Sequence, residues 1–336
     1  MIGYLGIDVG SVSTNLVVLT EDLRVLHQIY LRTRGQPIVA LQQGLQELAA
    51  NLPEGLVIRG CGTTGSARQL AGVIAGADVV KNEITAHATA TAFLVPGVRT
   101  IIEIGGQDSK IILLRDGMVQ DFAMNTVCAA GTGSFLDQQA ARLGIRIEDL
   151  GPMALRSTRP VRIAGRCTVF AESDMIHKQQ LGHPTEDILY GLCEALVRNY
   201  MNNVARGKEI TPPVAFQGGV AYNVGIRRAF EEALGHEVVV TPHHAVTGAI
   251  GAAMLAREAV RPGQPTNFRG FAAAAQPFAA SSFECSYCAN HCEVIDISSG
   301  GKLLARWGHR CPRWDLEGDA GLARNGEAAS NNVATG

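Results

Sequence analysis

Three glycine-rich segments of this 336-residue chain each follow an apolar run that predicts a β-strand. They are Asp8-Val9-Gly10-Ser11-Val12-Ser13-Thr14, Gly105-Gly106-Gln107-Asp108 and Gly218-Gly219. Turns of this kind gather backbone N–H groups and hydroxyls at one point, which is what a polyanionic phosphate needs. The segments therefore predict two phosphate loops and, at the third position, a loop that admits a flat nucleoside.

These loops supply candidate catalytic residues. Asp8 ends the first predicted strand, where it can hold Mg²⁺ through water, because Mg²⁺ keeps several waters and takes one or two carboxylates. Gln107 or Asp108 can orient an attacking water. No G-x-G-x-x-G pattern follows the first predicted strand, as a Rossmann fold would require, and no G-x-x-x-x-G-K-[ST] pattern of a Walker loop occurs. The residues expected to hold the nucleotide are Gly10, Ser11, Ser13, Thr14, Glu103, Gly105, Gly106, Gly218 and Gly219.

The order of the motifs resembles that of the actin, Hsp70 and sugar-kinase ATPase superfamily. It is most similar to the activators of 2-hydroxyacyl-CoA dehydratases and the related ATPase subunits of benzoyl-CoA reductases. At Glu103 the chain departs from the pattern, since relatives often have Asp there. The resemblance covers about residues 3–257 and rests on the segments 6–14, 82–87, 104–110, 128–133, 167–173, 218–221 and 245–253.

The resemblance implies an α/β fold in which two actin-like (ribonuclease H-like) half-domains enclose a nucleotide cleft. It implies binding of ATP or ADP with Mg²⁺. It further implies an ATPase that couples hydrolysis to low-potential, one-electron transfer. The acceptor would be a dehydratase or reductase iron–sulfur protein, and a ferredoxin or flavodoxin would be the donor.

Two of the eight cysteines, Cys128 and Cys167, each precede a predicted helix. Helix N-termini stabilise thiolate through unpaired N–H groups and the dipole. Two cysteines cannot close a four-ligand iron–sulfur site, but a symmetric dimer can supply two from each protomer. The resemblance implies this arrangement, an oxygen-sensitive 4Fe-4S cluster shared in a homodimer. Cys61 and Cys193 are expected to be buried small hydrophobes, and His87 is given no catalytic role.

Four further cysteines lie close together near the C-terminus. Cys285, Cys288 and Cys292 are separated by two and three residues, and Cys311 follows after 18 more. Four thiols suit a structural zinc ion or an intrachain 4Fe-4S cluster, and the spacing matches neither standard pattern closely. Both alternatives remain open. In either case the four cysteines could form a second electron relay or a surface on which the partner docks.

The apolar pattern indicates how the chain is organised around these sites. Residues 4–9 and 15–19 predict one strand hairpin, and residues 99–114 predict a second with the same acidic, glycine-rich tip, which suggests a duplication. Small residues from Ala67 to Ala92 predict a helical region, and those in a helix over 245–257 permit close backbone contact with it. Such a contact can serve as a hinge or as static packing.

The predicted domain boundaries follow from the same pattern. An ATPase domain spans residues 1–261, with half-domains at about 1–95 and 96–245 and the helix 245–257 returning to the first. A linker over 262–280, a Cys-rich metal-binding segment over 281–316 and a disordered tail over 317–336 complete the chain.

Charge and hydropathy exclude several classes of protein. There are 29 Lys plus Arg against 31 Asp plus Glu, so no basic surplus exists for binding nucleic acid. No apolar run approaches a membrane span, and the N-terminus lacks the features of a signal peptide, which predicts a cytoplasmic protein. Two alternatives to an electron activator are a small-molecule kinase of the same fold and a nucleotide-sensing regulator with a zinc-bound module.

Overall fold

A computed structural model describes residues 1–125, 129–261 and 263–316. Its first sheet has the order β3-β2-β1-β4-β5. β1 and β2 form the predicted first hairpin, with Asp8 opposite Asn15, and β4 and β5 continue the sheet in parallel. The strands are β1 (Ile2–Val9), β2 (Ser13–Thr20), β3 (Val25–Arg32), β4 (Val57–Thr64) and β5 (Val79–Val80).

The second sheet repeats the first strand by strand. Its order is β10-β9-β6-β7-β8, with an antiparallel β6–β7 hairpin and parallel β6–β9 and β9–β10 pairs. Both predicted hairpins are therefore present, and the two half-domains share one topology, as the duplication predicted. The strands are β6 (Thr100–Ile104), β7 (Ser109–Arg115), β8 (Met118–Asn125), β9 (Val214–Gln217) and β10 (Val238–Val240).

The helices pack against the sheets, and none described within residues 1–125, 129–261 and 263–316 is both long and apolar enough to cross a bilayer. The continuous helical region predicted from Ala67 to Ala92 is in fact divided. Gly76 ends one helix in a left-handed conformation (φ 73°), and Asn82 caps the next by accepting from Thr85 N–H. The helices are α1 (Pro37–Asn51), α2 (Arg68–Ala75), α3 (Glu83–Leu94), α4 (Gly133–Arg142), α5 (Ile147–Ala154), α6 (Thr168–Gln180), α7 (Thr185–Asn203), α8 (Val224–Leu234) and α9 (Thr247–Ala259).

Helix α9 lies in backbone contact with both the first sheet and α3. A methyl group at Gly251 would overlap the carbonyl of Ala86 on α3, and one at Gly6 of β1 would overlap the carbonyl of Ala249. The close approach predicted from the small residues is therefore present. It joins α3, which leads into the second half-domain, to α9, which returns from it.

A third, antiparallel sheet follows α9 and consists of β11 (Phe278–Glu284), β12 (Glu293–Ser299) and β13 (Lys302–Trp307). The preceding residues pack on the first half-domain. Asp78 accepts hydrogen bonds from Thr266 Oγ1 (2.6 Å) and Asn267 N–H (2.7 Å), and Phe268 joins the apolar core there. The segment predicted as a linker is thus docked along much of its length, while the predicted disordered tail lies outside the described residues.

Replacing Gly251 with Ala tests the α3–α9 contact. The added methyl must push apart two backbones, so the free energy of unfolding should fall by at least about 1–3 kcal/mol in urea titrations. Gly44→Ala in α1 is the matched control. Its methyl meets only the flexible side chain of Leu16, and its effect should stay within about 1 kcal/mol. Equal losses in the two variants would contradict the contact.

Candidate functional site

The tips of the two hairpins face each other across a cleft. Val12 of the first tip packs against Gly106 of the second, where even a methyl group would come 2.7 Å from the valine. Behind this contact lies a cavity of about 100 Å³. The predicted residues that line it are Asp8, Gly10, Ser11, Ser13, Glu103, Gly105, Gly106, Gln107, Asp108, Gly218 and Gly219.

Thr14 is the predicted nucleotide ligand that does not line this cavity. Its side chain is buried in the first sheet, where its Oγ1 lies 3.0 Å from the hydroxyl of Thr33. The alternation of side chains along a strand explains the difference, since Ser13 and Thr14 must point to opposite faces. The hydroxyl-bearing residues that line this cavity include Ser11, Ser13 and Ser66.

A second cavity of about 300 Å³ adjoins the first and shares Gly105, Gly106 and Gly219 with it. Its walls include Leu136, Ile147, Val220 and Tyr222. A mostly apolar pocket next to glycine-rich turns suits a flat base attached to a phosphate chain. At the mouth, Arg32 of the first half-domain lies 3.5 Å from Asp137 of the second.

Lys110, which the sequence analysis did not assign to the site, carries a buried ammonium among carboxylates. Its Nζ lies 2.8 Å from Glu103, 3.0 Å from Asp108 and 3.3 Å from Glu83. Its side chain is 2% exposed. Local sequence carried no signal for this role, because Lys110 directly follows Asp108 and Ser109 and its anionic partners come from separate elements.

The carboxylates outnumber this ammonium, and their pKa values are raised first by burial and then by repulsion among them. Burial raises the pKa of Asp8 to about 7, and repulsion from Glu83 adds to the effect. Burial also raises the pKa values of Glu83 and Glu103. For Lys110, burial alone would lower the pKa, but attraction to Glu103, Glu83 and Asp108 reverses the direction and raises it. The site therefore favours a divalent cation that would compensate the remaining charge.

His87 lines the same cavity, although sequence reasoning gave it no role. Burial, with the Lys110 charge, lowers its pKa to about 4, so the imidazole is neutral at pH 7. Gln217 Nε2 lies 2.8 Å from its Nδ1, and Thr91 Oγ1 donates to Gln217 Oε1 at 2.7 Å. With Gln217 donating to Nδ1, the ring proton resides on Nε2.

Of the two cysteines predicted for a shared cluster, Cys128 lies outside the described residues. Cys167 is half-buried and directly precedes α6, as predicted. Asn199 of α7 connects the two cysteine-bearing segments: its Nδ2 donates to Gly165 O at 2.6 Å, and its side chain packs against Gly131. The chain following Cys128 and the chain preceding Cys167 therefore meet beside α7.

The second phosphate loop is bonded to the helix that follows Cys128. Gly133 N–H donates to Gly105 O and Ser134 N–H donates to Gly106 O, both at 2.9 Å. Ser134 Oγ adds a 2.5 Å hydrogen bond to the same Gly106 carbonyl. The start of α4 is thus fixed to the loop that would hold a phosphate.

The remaining cysteines fall into two groups. Cys61 and Cys193 are fully buried, and burial raises the pKa of both thiols, so they stay protonated. In the C-terminal segment, Cys285 is buried, whereas Cys288 and Cys311 are exposed and Cys292 is half-buried. In the part of the chain that the structure describes, no three His, Cys, Asp or Glu side chains are already arranged around a metal position.

Comparison with known proteins agrees with the resemblance that the motifs indicated. A model of the BadF/BadG/BcrA/BcrD ATPase family matches residues 5–256. The chain is 34% identical over 276 residues to the (R)-2-hydroxyglutaryl-CoA dehydratase activating ATPase of Acidaminococcus fermentans, covering 75% of this chain and 96% of that protein. It is 36% identical over 261 residues to the activator of lactoyl-CoA dehydratase of Anaerotignum propionicum, covering 76% and 98%.

A solved structure is similar over the same part of the chain. The activator of the 2-hydroxyisocaproyl-CoA dehydratase from Clostridium difficile with bound ADPNP superposes with a TM-score of 0.70 at 32% identity. The superposition covers 76% of this chain and 94% of that one. The family match ends at residue 256, so the third sheet lies beyond it.

Removing the ammonium of Lys110 should destabilise the protein. Lys110→Met leaves buried carboxylates without their cation, and the free energy of unfolding should fall by about 3–5 kcal/mol in urea. Lys208→Met is the matched control, since Lys208 pairs with the exposed Asp121 and its loss should cost less than about 1 kcal/mol. A loss of that small size for Lys110→Met would contradict a buried ion cluster.

The raised pKa of Asp8 makes stability depend on pH. Its folded-state pKa lies above the ordinary 3.8, so its contribution is complete below about pH 4 and is lost as pH rises through 7. Asp8→Asn removes this titration. Without nucleotide or Mg²⁺, the variant should therefore gain about 1–3 kcal/mol relative to the parent between pH 4 and pH 8. Asp137→Asn, at the cleft mouth, should follow the parent's pH profile, and a parallel profile for Asp8→Asn would refute the assignment.

Proposed function

Because the chain belongs to the BadF/BadG/BcrA/BcrD ATPase family, and is therefore an ATPase, we propose that it is an ATP-dependent electron activator. Its acceptor is an iron–sulfur enzyme of the 2-hydroxyacyl-CoA dehydratase or benzoyl-CoA reductase type, and a ferredoxin or flavodoxin is its donor. The proposal is carried by the hydrogen bonds from the second glycine-rich loop to the start of α4, together with Asn199, which packs against Gly131 and donates to Gly165 O.

The nucleotide occupies the two adjoining cavities. The base lies in the apolar one, between Leu136, Ile147 and Tyr222, and the phosphates extend to the glycine-rich tips. Asp8 holds Mg²⁺ through water, which fits a carboxyl whose pKa is raised by burial and by the neighbouring Glu83 charge. Gln107 or Asp108 orients the attacking water.

Hydrolysis is coupled to the cysteines through α4. Gly105 and Gly106 bind both a phosphate and the first N–H groups of α4. Any displacement of this loop on loss of the terminal phosphate is therefore transmitted to the chain after Cys128. Asn199 connects that chain to the segment before Cys167, so a displacement of one segment is passed to the other. The α3–α9 contact provides the pivot on which the half-domains open and close.

Cys128 and Cys167 from each of two protomers would together hold one 4Fe-4S cluster. Such a cluster supplies one-electron chemistry whose potential depends on burial, charge and hydrogen bonds to the sulfurs. The site on this chain is suited to it, because Cys167 lies at a helix N-terminus and is half-buried. Val169 and Phe170, next to Cys167, are 65% and 62% exposed and provide apolar surface for the second protomer.

The substitution Cys167→Ser tests cluster binding separately from nucleotide binding. Anaerobically purified parent protein should contain about two cluster irons per protomer and be dimeric. Cys167→Ser should lose this iron and dissociate, because one thiol per protomer cannot hold the cluster. Binding of a non-hydrolysable ATP analogue should be unchanged, since Cys167 is absent from the residues lining the cleft.

The control is Cys193→Ala, which removes a buried thiol in the same half-domain and should retain both iron and dimer. In the parent protein, ATP should accelerate loss of iron to a chelator if hydrolysis alters the cluster environment. Full iron content in Cys167→Ser, or chelation that is independent of nucleotide, would refute the proposal.

A further inference from the structure

The third sheet brings four cysteines to one of its ends, outside the part of the chain that matches the family. Glu284 of β11 pairs with Glu293 of β12, and the next positions toward the turn are Cys285 and Cys292. Cys285 N–H donates to Cys292 O at 2.8 Å, so the two residues face each other across the hairpin. Side chains at such positions have β-carbons about 4.5–5.5 Å apart.

The other two cysteines are confined to the same end. Cys288 lies in the six-residue turn that Cys285 and Cys292 close. Cys311 lies between Gly308, which packs against the backbone of Glu293, and Trp314, whose indole contacts Cys285. Three residues of extended chain span at most about 11 Å, so Cys311 stays within that reach of both anchor points.

Two N–H groups are directed at the sulfur of Cys285. Trp314 Nε1 donates to Sγ at 3.3 Å, and the backbone N–H of Tyr287 donates to the same sulfur. Donors of this kind stabilise a metal-bound thiolate and fix its orientation. Nearby, Arg313 lies over the ring of Tyr287 at 3.9 Å and Arg306 over that of Trp314 at 5.3 Å. Arg306 is ion-paired with Asp296, and the positive charge of Arg313 favours the net charge of about −2 that four thiolates leave on a divalent ion.

We propose that Cys285, Cys288, Cys292 and Cys311 bind a single Zn²⁺ ion. In a tetrahedral site with Zn–S bonds of about 2.3 Å, the sulfurs lie about 3.8 Å apart, which thiols on facing strand positions can reach. In a 4Fe-4S cubane each thiolate binds a different iron atom, so the four cysteine sulfurs must lie farther apart than in a zinc site. The exposed side chains of Cys288 and Cys311 turn inward as the ion binds, and the bound thiols release their protons.

A zinc ion here has a structural purpose. Among residues 278–316, Cys285, Val294 and Ile297 are the apolar side chains that are buried. Three such side chains make a weak core for a three-stranded sheet, and domains of this size commonly rely on a metal or disulfides. Zinc would fix the turn and the chain around Trp314 to the sheet.

Metal analysis of the full chain tests this proposal independently of the shared cluster. Anaerobically purified parent protein should contain one zinc per chain. Cys288→Ala and Cys311→Ala remove exposed side chains that the metal-free fold does not need, and each should lower zinc content at least tenfold. Cys167→Ala should keep the zinc while losing cluster iron, so the two sites fail separately.

His291→Ala is the matched control within the turn. His291 is directed at Glu284, with Nδ1 2.8 Å from Oε1, so zinc content should not change. As a second measurement, metal-stripped parent protein titrated with Co²⁺ should show the sulfur-to-cobalt charge-transfer absorption of a tetrathiolate site, and Cys311→Ala should not. Zinc-free parent protein, zinc retained in both cysteine variants, or iron rather than zinc lost from them would overturn the proposal.

Discussion

The ammonium of Lys110 allows several carboxylates to be gathered at one point in the interior. Glu83 comes from the start of α3, Glu103 from the end of β6 and Asp108 from the turn after it, so the cluster joins a helix of the first half-domain to the sheet of the second. Without a buried cation these groups would repel one another and remain solvated. Ion pairs thus hold the residues at the bottom of the cleft together, while close contacts between glycines and backbone hold α9 against β1 and α3.

That combination suits the opening and closing of the cleft that the proposed function requires. Charge interactions act over several ångströms and tolerate small displacements. The contacts of α9 with β1 and α3, in contrast, are so close that they leave no room for even one added methyl group. The proposed movement is therefore a rotation of the half-domains about the tightly packed α3–α9 contact, during which the ion pairs of Lys110 adjust. Arg32 and Asp137 form an exposed ion pair at the mouth and can separate at little cost.

Much of this arrangement was predictable from local sequence. Both hairpins, their glycine-rich tips and the position of Cys167 before a helix follow from patterns that need no tertiary information. The edge strands β3 and β8 were not predicted, because their exposed side chains follow no regular apolar alternation. The division of the 67–92 region depends on a left-handed Gly76, which small helix-forming residues on both sides concealed. Lys110 and Gln217 acquire their roles only when separate strands come together, so single-strand patterns could not reveal them.

The docking of residues 264–278 has a further consequence. Through Asp78 and the apolar core under α1 and α2, this segment fixes the third sheet to the first half-domain, whereas Cys167 belongs to the second. The third sheet and Cys167 of one chain therefore belong to opposite half-domains. If the half-domains move as proposed, the distance between a spectroscopic label on the third sheet and one on α6 would change with the nucleotide in the cleft, in a single molecule and without a partner protein.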